Sequence, residues 1–209
     1  KTQPLEVYQS QRRGGMGKTA ASVKDEDFVE QLIVANTHRT LLCFSNLGKV
    51  YWLKVYEIPQ ASRIAKGRPL VNLIELDEQE RVTSLLDVQS FEDEAFVFMA
   101  TQNGIIKKTP LSEFKRPRKN GKRAIKLDEN DELVGTLLTN GSADLMVVSN
   151  AGKAVFFNEK DARSMGRDTR GVKGITLDRN QQVISVLKPS KESEILTVSE
   201  NGYGKRSKV

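Results

Sequence analysis

The 209-residue chain is poor in the residues that build stapled or metal-bound scaffolds: it has one Cys and one His. A single thiol cannot close an internal disulfide, which excludes a small disulfide-stapled fold. One Cys and one His cannot assemble a Cys/His zinc site. No segment approaches the roughly 18 consecutive apolar residues of a membrane span, and no basic-then-apolar leader opens the chain. Long amphipathic helical patterns are missing as well, which turns the fold class toward β-structure. What remains is 38% hydrophobic and 29% charged residues, a composition of packed domains rather than of disorder. The length allows one large domain or two small ones.

Charge is present and unevenly placed. Lys and Arg number 33 against 27 Asp and Glu, a net charge of +6. Basic residues gather at Arg12, Arg13, Lys18 and Lys24, then at Arg63, Lys66 and Arg68. The densest group, Lys115, Arg116, Arg118, Lys119, Lys122, Arg123 and Lys126, contains no carboxylate. Arg163, Arg167, Arg170 and Lys173 form a fourth group, and Lys205, Arg206 and Lys208 end the chain. Acids cluster elsewhere, at Glu75–Glu80, Glu92–Glu94 and Asp128–Glu132. A single charge run is usually a solvated loop. Runs that recur near 66, 120 and 170 imply a repeated structure that sorts the two signs onto separate faces, with the acidic turns off the basic track.

The repeat is visible in three motifs. Glycine turns followed by an apolar residue fall at Gly48, Gly104, Gly152 and Gly202. A Gly followed six positions later by Leu recurs at Gly67, Gly121 and Gly171. Strand-like segments 81–86, 132–137 and 182–187 follow each of these. Near-continuous apolar runs precede the turns at 41–45, 95–100, 144–149 and 194–199, as in strands buried on both faces. Return strands follow at 49–53 and 153–157. Residues 25–35 read as a loop running into a strand. Units of about four short strands and about fifty residues predict an all-β, propeller-like architecture in which stacked neighbours supply the core. Cys43, flanked by Leu41, Leu42 and Phe44, reads as an inert buried thiol, and His38 as a structural side chain.

Gln11-Arg12-Arg13-Gly14-Gly15-Met16-Gly17-Lys18-Thr19 is the most distinctive stretch. A phosphate-binding P-loop would need a Gly at position 12, where Arg stands, and an apolar helix after Thr19, where none is encoded. Paired Arg forks among glycines suit the backbone of another polyanion, gripped without sequence reading. Six of the seven positions of this segment (Gln11, Arg12, Arg13, Gly14, Gly15 and Gly17) resemble the box that marks the C-terminal domain of the DNA gyrase A subunit, with Met16 in place of its usual cation. Segments 24–28, 34–38, 67–73 and 201–206 resemble that family in the same order.

The resemblance implies a six-bladed β-pinwheel whose basic rim binds, bends and wraps duplex DNA with right-handed chirality. The full enzyme then introduces negative supercoils with ATP. The box that carries the resemblance, together with the recurring basic clusters, gives an expected DNA-binding set of Gln11, Arg12, Arg13, Gly14, Gly15, Gly17, Lys18, Arg63, Lys66, Arg68, Lys115, Arg116, Arg118, Lys119, Lys122, Arg123, Arg163, Arg167, Arg170, Lys173, Lys205 and Arg206. Residues 1–27 would form a box-bearing segment of the first blade, and 28–209 successive blades of one domain. Four glycine turns against six blades predict an incomplete, C-terminally truncated disc. No cofactor, metal site or catalytic residue is expected in this domain, since ATP and Mg2+ act elsewhere in the enzyme. The expected partners are duplex DNA, the rest of the gyrase A-subunit dimer and the gyrase B subunit, in the bacterial cytoplasm at the nucleoid and not at a membrane. The alternatives are the DNA-bending domain of topoisomerase IV and a propeller serving as a protein-interaction platform.

Overall fold

The structure, a computed structural model, describes residues 1–7, 31–92, 94–190 and 192–209. In these residues the chain forms thirteen strands and a few single 3-10 turns, with no α-helix. The strands are β1 (Thr40–Ser45), β2 (Lys49–Lys54), β3 (Val82–Val88), β4 (Phe96–Thr101), β5 (Ile105–Pro110), β6 (Lys122–Arg123) and β7 (Leu133–Thr139). They continue with β8 (Asp144–Ser149), β9 (Ala154–Asn158), β10 (Val172–Lys173), β11 (Val183–Leu187), β12 (Glu194–Val198) and β13 (Gly204–Lys208). Four antiparallel sheets result, in the orders β3-β1-β2-β6, β7-β4-β5-β10, β11-β8-β9 and β12-β13.

The apolar runs of β1 and β4 are buried on both faces because each of these strands lies between two cores. By contrast, β8 is fully buried on one face only, and β12, expected to be buried on both, is largely exposed because no further sheet packs on it among the described residues. Side chains alternate across a strand. Leu42 and Phe44 of β1 therefore join Val97, Met99 and Leu133 in a core between the first and second sheets. Leu41 and Cys43 pack with Tyr51, Leu53 and Ile74 on the other face. On β4, Phe98 and Ala100 turn to a core shared with Leu145, Val147 and Val186 of the third sheet. The first three sheets thus stack through shared cores, and β7 touches both β3 and β11 along the line where the sheets meet. Backbone bonds repeat at these junctions: Leu133 N–H donates to Asn46 O and Val183 N–H to Gln102 O, both at 2.9 Å.

The repeat and the sheet are not the same set of residues. The Gly-to-Leu segment of the first repeat, at 67–73, forms a 3-10 turn, whereas those of the second and third cross over and complete the preceding sheet. In the second repeat this strap pairs Lys122 and Arg123 of β6 with Val50 and Lys49 of β2. In the third, Val172 and Lys173 of β10 pair with Ile106 and Ile105 of β5. Each strap then closes over a turn glycine. Gly48 O accepts from the N–H groups of Ala124 (2.8 Å) and Ile125 (3.2 Å), and Gly104 O from those of Gly174 (2.9 Å) and Ile175 (3.4 Å). Both glycines have positive φ, +72° and +84°, and a Cβ on either would stand 2.9 Å from the Ile carbonyl of the strap. The straps are basic, yet Ile125 and Ile175 are buried, because their apolar side chains enter the neighbouring repeat's core.

One local expectation is corrected. Residues 31–36 form no strand, and Leu32 and Val34 are exposed. Regular pairing starts only at Thr40, where the alternation of β1 can bury both faces. The boundary expected at residues 27 and 28 lies outside the described residues.

Candidate nucleic-acid interface

The straps form the sheet edges opposite the line along which β3, β7 and β11 meet. Basic side chains on them therefore point to the rim. On the second strap and the loop before it, Lys115, Arg116, Arg118, Lys119 and Arg123 are exposed, while Lys122 is half-buried. On the third, Arg163, Arg170 and Lys173 are exposed and Arg167 is half-buried.

The two straps converge. Arg167 donates from Nη1 to the carbonyl of Arg123. The Lys122 ammonium is pushed below its ordinary pKa, by partial burial and then by the positive charges of Arg167, Arg118 and Arg116. It stands 5.7 Å from the ring centroid of Trp52, whose Nε1–H donates to Phe114 O at 2.8 Å and so fixes the indole. Four cations from two repeats (Arg116, Arg118, Lys122 and Arg167) thus share one field. Such a concentration of like charge is costly to hold and suits a polyanion.

The acidic turns do not stand apart from this track. Asp128 accepts from Arg170 Nε through both carboxylate oxygens, at 2.6 and 2.7 Å, and also from Nη2. Arg170 holds the Asp128 carboxyl below its usual range. Lys119 pairs with Glu75 at 2.7 Å, and Lys115 with Glu92. In the first two cases an acid from one repeat clasps a basic residue of the next. Charge periodicity alone could not show this, because the partners lie about forty residues apart in sequence.

Other expected contacts sit elsewhere. Arg63, Lys66 and Arg68 lie on the loop of the first repeat, which the N-terminus pins: Lys1 Nζ donates to the carbonyls of Ser62 and Arg63, each at 2.9 Å, and of Ala65. Arg63 is half-buried, and Lys66 and Arg68 are exposed. Lys205 and Arg206 lie on β13, where Arg206 pairs with Glu194 at 2.7 Å. Gln11, Arg12, Arg13, Gly14, Gly15, Gly17 and Lys18 fall outside the described residues. Among the described residues no group of three or more His, Cys, Asp or Glu could hold a metal ion. No helix among them is long and apolar enough to cross a membrane. Cys43 is buried, and burial pushes its thiol up to about 12.

The family model described as DNA gyrase C-terminal domain, beta-propeller, matches the chain in five successive segments: 1–36, 39–89, 95–140, 143–190 and 193–209. The chain belongs to this family. The DNA gyrase A subunit of Salmonella typhimurium strain LT2 is 53% identical over 207 residues, covering 99% of this chain and 24% of that protein. Its counterpart in Escherichia coli strain K12 is 52% identical over 209 residues, again with 24% of its length covered. The chain thus spans about a quarter of the curated relatives it matches. A solved gyrase A C-terminal domain superposes with a TM-score of 0.79 at 30% identity, covering 97% of this chain and 65% of that one. The C-terminal domain of DNA topoisomerase IV superposes equally well, TM-score 0.79 at 29% identity, covering 91% and 59%. Shape alone therefore does not separate the two domains. The family model and the relatives above half identity assign the chain to the gyrase C-terminal domain.

Proposed function

We propose that this domain binds duplex DNA without sequence preference, bends it and wraps it with right-handed chirality on the strap-bearing rim. The observation that carries this reading is the meeting of Arg116, Arg118, Lys122 and Arg167 from consecutive straps, with the Arg167 guanidinium bonded to the Arg123 carbonyl. One such cluster is a phosphate site, and straps that recur from sheet to sheet place such sites along a curve. Bending a duplex this tightly costs on the order of several kcal/mol per 20–30 bp, so spaced contacts are needed to hold it. The box residues Gln11–Lys18 and the loop basics Arg63, Lys66 and Arg68 extend the same set.

Within a whole gyrase, with the rest of the A-subunit dimer and with the B subunit, the wrap would present a second DNA segment for strand passage. The reaction would be ATP-dependent negative supercoiling, in the bacterial cytoplasm at the nucleoid. ATP and Mg2+ would act on other parts of that enzyme. This domain supplies DNA geometry and no catalytic group.

The test is topological. Nicked plasmid is ligated in the presence of the domain, stripped of protein, and its linking number read on a gel. Trapped supercoils of a single sign, increasing with protein added, are expected. Binding with no trapped supercoils would favour simple bending, the reading that the equal likeness to the topoisomerase IV domain keeps in play. No binding in moderate salt would overturn both. With about ten phosphates neutralised, log K should fall with log[salt] at a slope near −9.

A further inference from the structure

Lys107 is a fully buried cation on β5, with 0% of its surface exposed. Among the described residues no carboxylate receives its ammonium. Nζ donates instead to three backbone carbonyls: Ala124 at 2.8 Å, Thr169 at 3.0 Å, and Arg167. Ala124 follows Arg123 on the second strap, whereas Arg167 and Thr169 belong to the third. One side chain therefore ties together two straps from different repeats, and all three of its protons are used.

The repeat does not require a lysine here. The residue three positions after the turn glycine is Tyr51 in the first repeat and Val155 in the third; the fourth has Lys205, but on the exposed strand β13, where it bears no burial cost. Tyr51 solves the same site locally. Its ring lies against Gly121, and its hydroxyl donates to Glu80 at 2.6 Å. A buried ammonium without a carboxylate partner is expensive. Burial pulls its pKa down to about 8, and Arg167 adds to that, while Asp168 and Glu113 act in the opposite direction. A cost taken on by one repeat and avoided by its neighbours points to function rather than to packing. A second tie lies beside it, since the Arg167 guanidinium donates to the Arg123 carbonyl.

We propose that Lys107 is a positioning residue for DNA binding: it locks the second and third straps together so that Arg123, Arg167 and Lys173 meet the duplex as one rigid unit. Being buried, it does not touch phosphate itself. The proposal rests on the DNA-rim reading above, and its test separates the two.

The full chain is compared with Lys107→Met and Lys107→Arg by hydrogen exchange without DNA, and by salt titration of binding to a linear duplex. In Lys107→Met the amides of Lys126, Met165 and Gly174, which donate to Thr169 O, Lys108 O and Gly104 O, should exchange at least tenfold faster. The β1 amides should keep their protection. The salt slope should shrink by about two units, as two or more phosphate contacts lose their register at about 0.9 each. A lysine acting only as a charge could change it by no more than about 0.9. Lys107→Arg should restore both readouts.

Equal acceleration of β1 would mean global destabilisation and would overturn the proposal. So would unchanged strap exchange, a slope change below one unit, or an arginine variant as loose as the methionine one. If the parent chain binds no duplex, the DNA reading fails, while the exchange data still decide whether Lys107 holds the straps. Should Lys107→Met not fold, Lys107→Gln, which keeps two donors for three carbonyls, is judged by the same criteria.

Discussion

Replacing Gly104 with Ala, and Gly152 with Ala as its control, isolates what a strap contributes. Both residues occupy the same turn position with left-handed backbone, φ +84° and +74°. An L-residue there costs about 1–2 kcal/mol, and that strain is common to both variants. The surroundings differ. A Cβ on Gly104 would stand 2.9 Å from Ile175 Cγ2 and 2.9 Å from the Ile175 carbonyl, whereas a Cβ on Gly152 would meet nothing within 4 Å. The strap must therefore shift in one variant only. Overpacking of this kind costs about 1–3 kcal/mol. The bonds from Gly174 and Ile175 to Gly104 O, each worth about 1 kcal/mol net, would weaken with it. Gly104→Ala should accordingly lose about 2 kcal/mol more than Gly152→Ala in urea denaturation followed by circular dichroism. It should also bind duplex DNA more weakly, because Lys173 lies on the strap that moves. Equal losses for the two variants would refute the idea that straps are held by close approach to the turn glycines.

Other outcomes follow from the rim and the buried groups. Asp128→Ala releases Arg170 from its clasp, so duplex affinity at low salt should rise and the salt slope steepen by about 0.9, read by fluorescence anisotropy. A fall in affinity would mean that the clasp holds Arg170 in place for DNA rather than away from it. Lys107 releases its proton near pH 8 in the folded chain but near 10.5 when unfolded. Below pH 8 both states hold the proton and the burial cost is felt in full. Between pH 8 and 10 the unfolded chain binds more protons, so stability rises relative to Lys107→Met, toward a limit of about 3 kcal/mol. Cys43, with its thiol raised to about 12, works in the opposite sense above pH 9 but cancels in that comparison. Denaturation at stepped pH checks it, and parallel curves for the two proteins would refute it.

Much of the fold was legible because its signals are local. The run Asp144–Ser149 is apolar, short and followed by a glycine turn, and β8 has those same bounds. The other apolar runs lie within a residue or two of β1, β4 and β12. The strap exchange was not legible. Lys122-Arg123 and Val172-Lys173 are two-residue strands whose partners lie in the previous repeat, and nothing in their local pattern names that partner. The same limit applies at the rim. Sequence located the basic groups, but not the pairing of Arg170 with Asp128 or of Lys119 with Glu75. Nor did it single out Lys107, which looks like any polar residue on an alternating strand until the fold closes three carbonyls around it. The box at Gln11–Lys18 was read by resemblance, and its place relative to the straps lies outside the described residues.

The crossing of straps also sets an order of events during synthesis. The outermost strand of the first sheet is Lys122-Arg123, so Thr40–Lys54 cannot be finished when its own repeat leaves the ribosome. It waits with an open edge until the second repeat has emerged, and the second waits in turn for Val172-Lys173. Closing such loops costs little more entropy than closing short ones, but it takes time, and an unfilled edge is a template for foreign strands. The newest blade on a nascent chain is therefore always the vulnerable one, and a ribosome stalled between repeats would display a sheet missing one strand.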